Sequence, residues 1–214
     1  MTPPVDVVLV LLVLTTFLLL ASSRLAAGIR IGALQGVLVG VLTLVLGAPA
    51  LQLEVAVMGA AIIGLKGVAF PRLLFHALRE SDTTREVQPF VGHTASLFVG
   101  VLMLWGAFLL DTRLQHPAQA VSTLLVPVAL SMMMAGLFLI VARRTAMGQV
   151  IGYLLLENGI YAFGLAMVRQ IPLLIELGAL MDLFVGVFVM GIAIYRINRE
   201  FDHIDADRLS TLKG

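Results

Sequence analysis

Residues 149–168 read QVIGYLLLENGIYAFGLAMV, an apolar stretch with one acidic side chain, Glu157, near its middle. About 20 mostly apolar residues is the length that crosses the hydrocarbon core of a bilayer as a helix. A charged side chain at the bilayer centre costs roughly 2.5–3.5 kcal/mol on insertion scales. The stretch therefore predicts a membrane-spanning helix with a polar group held in its interior.

The composition extends this prediction to the whole chain. Of 214 residues, 60% are hydrophobic and 13% are charged, whereas a soluble domain is nearer half apolar and a quarter charged. We predict an all-α, polytopic membrane protein with seven transmembrane helices, the third of which Pro71 ends or kinks. Its parts are a four-helix segment (1–118), a three-helix segment (119–197) and a cytoplasmic tail (198–214). The predicted spans are 5–22, 31–48, 51–70, 91–110, 119–141, 149–168 and 172–196.

The basic residues predict the orientation of these seven spans. Lys66 lies within a span, and the loops on one side of the membrane hold only Arg113 and Arg169. Cytoplasmic loops carry an excess of Lys and Arg, so the C-terminus is predicted to be cytoplasmic and the N-terminus outside. The opposite side holds eleven basic residues: Arg24, Arg30, Arg72, Arg79, Arg85, Arg143, Arg144, Arg196, Arg199, Arg208 and Lys213.

Several function classes are excluded by residue types alone. The chain has no cysteine, so it can form no disulfide, zinc knuckle or iron–sulfur cluster of its own. Its net charge of +1 gives no bulk reason to expect nucleic-acid binding, and the partner that the composition requires is a lipid bilayer. The last predicted span contains no lysine for a Schiff base, which excludes a retinal protein.

Five ionisable residues fall inside the predicted spans, and two of them lie at matching depth. At a rise of about 1.5 Å per residue, Glu157 lies about 12 Å and Asp182 about 15 Å into two consecutive antiparallel helices. Such a pair of carboxylates could take up and release protons. The other three members of this predicted ladder are Lys66, nearer the cytoplasm, and Glu54 and Glu176, about a turn inside the outer surface.

Each of these residues also has a structural interpretation. Glu54 and Glu176 fit interfacial side chains that reach for water, and Lys66 fits neutralisation of a partner subunit's carboxylate. Glu157 and Asp182 fit polar contacts with another helix, although their depth favours a function. Tyr153 and Tyr161 lie four residues to either side of Glu157, so we expect both phenols to share its helix face and hydrogen-bond it.

Several motifs of the chain resemble those of a known family, component E of hydrogenase-4. The motifs that carry the resemblance are GYLLLENG (152–159), ELG (176–178), DLF (182–184) and LSTLKG (209–214), with Lys66 and Pro71 in the third span. In that family the last three spans look like the K subunit of bacterial complex I and the C subunit of multisubunit cation/proton antiporters. Those subunits carry acidic residues in the middle of their last two helices. Glu157 matches the first acidic residue; Asp182 matches the second by depth, with Glu176 as the substitute.

The resemblance implies a membrane-arm subunit of a [NiFe]-hydrogenase complex of the hydrogenase-4 or formate-hydrogenlyase type, in the plasma membrane of a bacterium or archaeon. It implies no cofactor in this chain, with nickel–iron and iron–sulfur centres in peripheral hydrogenase subunits. Antiporter-like subunits and a subunit like the H subunit of complex I would be its membrane neighbours. Electron transfer would drive proton or Na⁺ movement, with Glu157, Asp182, Lys66, Glu176 and Glu54 as relay candidates.

Two other functions fit the same residues. The chain could serve a multisubunit Na⁺/H⁺ antiporter or another complex-I-like membrane arm, because that resemblance runs through the same last three spans. It could also be a structural spacer between ion-pumping subunits, in which case its buried charges would form static pairs. Substitution of a spacer's charges would harm assembly as much as activity, whereas a relay residue would lose only coupling.

Overall fold

The computed structural model describes residues 3–47, 53–79, 90–114 and 122–167, and helices make up nearly all of them. Residues 53–79 form a continuous helix in which a π-helical segment, Leu65–Ala69, joins α3 to α4. The helices are α1 (Pro3–Ala21), α2 (Leu25–Gly47), α3 (Leu53–Gly64), α4 (Phe70–Arg79), α5 (His93–Asp111), α6 (Leu125–Ala142) and α7 (Ala146–Met167).

Within these ranges, six helices are long and apolar enough to cross a membrane, with the α3–π–α4 helix counted as one. They correspond to the first six predicted spans, and the all-helical membrane class is confirmed. The seventh predicted span, 172–196, lies outside the described residues. The total of seven spans, the orientation and the three-part division of the chain stay predictions.

Pro71 does not end the third span, which continues to Arg79. Proline has no backbone N–H and normally disrupts the ladder of a helix interior. Here the wider π-helical turn lies directly before it, and the backbone N–H of Phe70 donates to the carbonyl of Leu65, five residues back. Because the span ends nine residues later than predicted, Lys66 lies near its middle rather than towards its cytoplasmic end.

The second span also begins earlier than predicted, at Leu25 instead of residue 31. Arg30, assigned from the sequence to a loop, therefore lies inside α2. Its side chain is exposed, and its guanidinium lies 5.9 Å from the centre of the Phe75 ring on α4. A long cationic side chain can cover apolar surface in this way while its charged end reaches the membrane interface, so an arginine is tolerated in this first part of the span.

The turns at one end of the bundle are fixed by specific hydrogen bonds. Arg143, buried in the turn between α6 and α7, donates from Nη2 to the carbonyl of Leu20 at 2.9 Å. This bond ties the α6–α7 turn to the end of α1. Thr145 caps α7, because its Oγ1 accepts a hydrogen bond from the Gly148 N–H at 3.0 Å. At the opposite end, Ser122 donates to Asp6 at 2.6 Å and ties α1 to the start of α6.

Close packing of α6 against α7 depends on glycine. A Cβ atom built on Gly152 would lie 2.8 Å from the backbone nitrogen of Ile140 and 3.1 Å from the carbonyl oxygen of Gly136. Gly136 and Gly159 face the partner helix's backbone in the same way. Small residues at such a seam let two membrane helices approach closely, and this contact holds α7, which carries Glu157, in a fixed position.

Candidate functional site

The centre of the bundle contains a buried ion pair. Lys66 Nζ lies 2.6 Å from Glu157 Oε1, and the two side chains are 6% and 2% exposed. Lys66 also donates to Asn158 Oδ1 at 3.0 Å. A buried charge is tolerated where it is paired and hydrogen-bonded, and here each charge is the partner of the other.

Hydrogen bonds extend from this pair across the bundle to α1. Asn158 donates from Nδ2 to Gln35 Oε1 on α2 at 3.4 Å. Gln35 in turn donates from Nε2 to the hydroxyl oxygens of Thr16 at 3.1 Å and Thr15 at 3.4 Å. Both threonines donate to backbone carbonyls one turn earlier in α1. The result is a continuous row of buried polar side chains that joins three helices to the ion pair.

Local backbone geometry places Lys66 in this position. Lys66 belongs to the π-helical segment, whose extra residue per turn changes the direction in which its side chain leaves the helix. Gly36 on α2 faces it, and a Cβ atom built on Gly36 would lie 2.5 Å from Lys66 Cβ. Only a glycine leaves room here for the lysine stem. The third span therefore packs close to α2, and its Lys66 side chain reaches Glu157 on α7.

Tyr161 lies on the other side of the pair but does not hydrogen-bond Glu157. Its hydroxyl is 3.3 Å from the hydroxyl of Thr43 on α2, and its ring centre lies 5.9 Å from Lys66 Nζ. Glu157 accepts its hydrogen bond from Lys66 instead. Tyr153 is half-buried on α7 and is not a partner of Glu157 among the described residues. The expectation that two phenols hydrogen-bond this carboxylate is therefore wrong.

The structure describes only some of the other predicted relay residues. Glu54 is the second residue of α3, in its first turn. Glu176 and Asp182 lie outside the described residues, so the proposed pairing of Asp182 with Glu157 stays a prediction. Lys66 was expected nearer the cytoplasm than the carboxylates, but it lies at the depth of Glu157 and contacts it directly. Its carboxylate partner Glu157 belongs to this chain.

The amide and hydroxyl members of the site were missed because the sequence analysis searched the spans for charge. Gln35 is the one amide side chain in the largely apolar α2, and Asn158 directly follows Glu157. Both are almost fully buried. An uncharged amide in an apolar span is the signal that would have found them, since buried polar groups require hydrogen-bond partners. Nothing in the sequence alone marked Gly36 as a residue of this site.

The arrangement joins two groups that can each hold a proton, an amine and a carboxylate. The hydrogen bond of 2.6 Å between them is a charge-assisted contact. The second carboxylate oxygen, Glu157 Oε2, is buried and has no hydrogen-bond partner among the described residues. A proton taken up on Oε2 would neutralise the carboxylate. Within the same ranges, no group of three His, Cys, Asp or Glu residues could hold a metal ion.

Comparison with known proteins supports the resemblance over part of the chain. Hydrogenase-4 component E of Escherichia coli is 34% identical over 87 residues, which is 41% of this chain and 40% of that protein. Hydrogenase-4 component E of Shigella flexneri matches over the same extent. No family model matches the chain. No solved structure matches it either.

A match over nearly the full length comes from Mycobacterium tuberculosis. The uncharacterized protein Rv0085 is 30% identical over 203 residues, which cover 94% of this chain and 92% of Rv0085. The chain therefore belongs to the same family as Rv0085 of Mycobacterium tuberculosis.

Proposed function

We propose that this chain is a membrane-arm subunit of a [NiFe]-hydrogenase complex of the hydrogenase-4 type. In it, proton or Na⁺ translocation is coupled to electron transfer in peripheral subunits. The partial match to hydrogenase-4 component E supports the type of complex. The observation that carries the translocation role is the Lys66–Glu157 pair, buried at the centre of the bundle within a row of hydrogen-bonded side chains.

The proposed chemistry is a change in the charge state of this pair. Protonation of Glu157 removes its negative charge and weakens its hold on Lys66, whose ammonium keeps its hydrogen bond to Asn158. Transfer of a proton from Lys66 to Glu157 would leave two neutral groups, which cost less to bury than two separated ions. Either step changes the electrostatic potential at a neighbouring buried carboxylate, for which Asp182 and Glu176 are the candidates.

The direct test substitutes the carboxylate in the assembled complex. Glu157→Gln keeps the shape of the side chain and an oxygen that can accept from Lys66, but it cannot be ionised. We expect the variant complex to assemble and to lose ion translocation driven by electron transfer, measured in membrane vesicles. Asp111→Asn, at the end of α5 and outside the predicted ladder, is the control substitution. Full translocation by Glu157→Gln would exclude a relay role for this residue.

The main alternative host is a multisubunit Na⁺/H⁺ antiporter or another complex-I-like membrane arm. Purification of the tagged chain in mild detergent, with subunit identification and metal analysis, separates the two. The hydrogenase-type complex requires nickel and iron together with antiporter-like subunits. Recovery of antiporter-like subunits without these metals would assign the chain to an ion exchanger and would remove electron transfer from the account.

A structural spacer is the second candidate function, and one observation favours it. Lys66 and Glu157 already satisfy each other's charge at 2.6 Å, as expected of a static contact between α7 and the π-helical segment. In a spacer, Glu157→Gln and removal of Lys66 would each reduce translocation only in proportion to the loss of assembled complex, whereas in a relay the complex that does assemble would lose coupling. Comparison of assembly with coupling in the same two variants therefore distinguishes the candidates.

A further inference from the structure

A small cavity adjoins the ion pair. Among the described residues, two polar side chains of the site, Lys66 and Asn158, border it, and the other described residues of its lining are apolar or small. It has room for about one water molecule. A buried water needs at least two polar partners, and Lys66 and Asn158 are the polar side chains of the described lining. The remaining described residues of the lining are Ile29, Gly32, Ala33, Phe70, Pro71, Leu74 and Leu154.

The cavity lies on one side of the ion pair. Gly32 and Ala33 precede Gly36 on α2, and Leu154 precedes Glu157 on α7. Phe70 follows Lys66 on the antiparallel third span. All of these residues are therefore displaced from the pair towards the face at which α2 and α7 begin. The arginine count predicts that this face is cytoplasmic.

The described residues of the lining also bear on whether Na⁺ or a proton can bind beside the pair. Hard cations such as Na⁺ bind through several oxygen ligands, usually carboxylates, carbonyls or water. Among the described residues of the lining, the only side-chain oxygen is Asn158 Oδ1, which already accepts a hydrogen bond from Lys66. The lysine ammonium repels a metal cation at the same place. A proton needs no such ligands, because it can move along water to the pair.

From these observations we propose that the cavity hydrates the Lys66–Glu157 pair from the face where α2 and α7 begin. The pair is thereby a site for protons rather than for Na⁺. This inference rests on the proposed function, since it names the ion that the pair carries. It also assigns a role to Gly32, whose missing side chain leaves the cavity open: a Cβ atom built there would meet no atom within 4 Å.

Hydration can be measured without any transport assay, because the chain contains no cysteine. Gly32→Cys and Gly106→Cys place a thiol where a Cβ atom has open space, the first at the cavity and the second on α5. In vesicles that expose the cytoplasmic face, we expect hydrogen peroxide, a neutral oxidant close to water in size, to oxidise the thiol of Gly32→Cys and to leave Gly106→Cys unmodified. No modification at position 32 would overturn the proposed hydration.

The identity of the translocated ion is tested in vesicles that contain the whole complex. We expect proton translocation to continue unchanged when choline replaces Na⁺, and a requirement for Na⁺ would overturn the assignment. Gly32→Leu should lower the translocation rate about tenfold, the effect of losing roughly one hydrogen bond between water and the pair. Gly106→Leu is the matched control and should not change the rate.

Failure of this inference can be distinguished from failure of the proposed function. If Glu157→Gln abolishes translocation while Gly32→Leu retains it, the pair carries ions but the cavity is not its route, and the inference is wrong. If the wild-type complex translocates no ion, the proposed function fails and the assignment of the proton fails with it. The cysteine modification still decides whether the pair is hydrated.

Discussion

Lys66 and Glu157 depend on each other at the scale of single residues, because the two buried side chains lie 2.6 Å apart as an ion pair. Removal of one member of a buried pair costs about 3–5 kcal/mol, since the other charge stays buried without compensation. Replacement of both members by apolar side chains of similar size is often neutral or stabilising. The ion pair is therefore weak evidence of a stabilising role in itself, and two variants can separate stability from function.

We expect Lys66→Met to lower the free energy of unfolding in detergent by about 3–5 kcal/mol, because Glu157 is left buried and unpaired. The double variant Lys66→Met/Glu157→Leu should recover most of this loss and still fail to support translocation. Denaturant titration followed by circular dichroism measures the first effect. Unchanged stability of Lys66→Met would show that the pair does not hold the bundle together.

Part of this site could be predicted from the sequence, and the rest could not. Glu157 and Lys66 stand out because charge inside an apolar span is costly and therefore rare. That they contact each other could not be predicted, because the distance depends on a π-helical turn and on the bare backbone at Gly36. Both are products of packing between helices far apart in the chain. Helical periodicity also gave Tyr161 the correct depth but the wrong partner.

At the scale of helices, the seam between α6 and α7 sets the position of Glu157. The backbone atoms that face Gly152 cannot rotate away from an added methyl group, unlike the end of a flexible side chain. A larger residue must therefore push the two helices apart. Because Glu157 lies on the same helix just over one turn beyond, such a displacement would also disturb its contact with Lys66.

We expect Gly152→Ala to lower the free energy of unfolding by about 1–3 kcal/mol, the usual cost of overpacking in a close-packed interior. Gly106→Ala, where an added Cβ atom meets open space, is the matched control and should change stability little. Thermal unfolding of the two variants in the same detergent makes the comparison. Equal melting temperatures would show that the seam can relax and does not fix α7.

For the whole molecule, the helices confirm the membrane class but leave the orientation to be measured. The boundaries of the six described spans agree with hydropathy to within a few residues, except that α6 begins six residues later than predicted and that two other helices extend where packing overrides composition. Pro71 and Arg30 lie inside these two helices, which extend beyond their most apolar part. On α5, Trp105 is 62% exposed among other exposed apolar side chains, as expected of a helix in contact with lipid or a partner.

The orientation can be tested with single cysteines in the turns. We expect a membrane-impermeant maleimide added to intact cells to label Leu114→Cys, which follows α5, and not Ser23→Cys, in the turn between α1 and α2. The physical reason is the excess of arginine on the side of Ser23. In inverted vesicles the pattern should be reversed. Labelling of Ser23→Cys alone in intact cells would mean that the chain is inserted the other way round.

The contact between Lys66 and Glu157 has a consequence for biosynthesis. The two residues are 91 positions apart, so at about 5–20 residues per second the ribosome adds Glu157 roughly 5 to 18 seconds after Lys66. During that interval the nascent third span must enter the bilayer with its lysine still without this carboxylate. The third span and α7 are also the least apolar of the six described spans. Their stable insertion is thus a joint event, completed only when α7 leaves the translocon and folds back against the earlier helices.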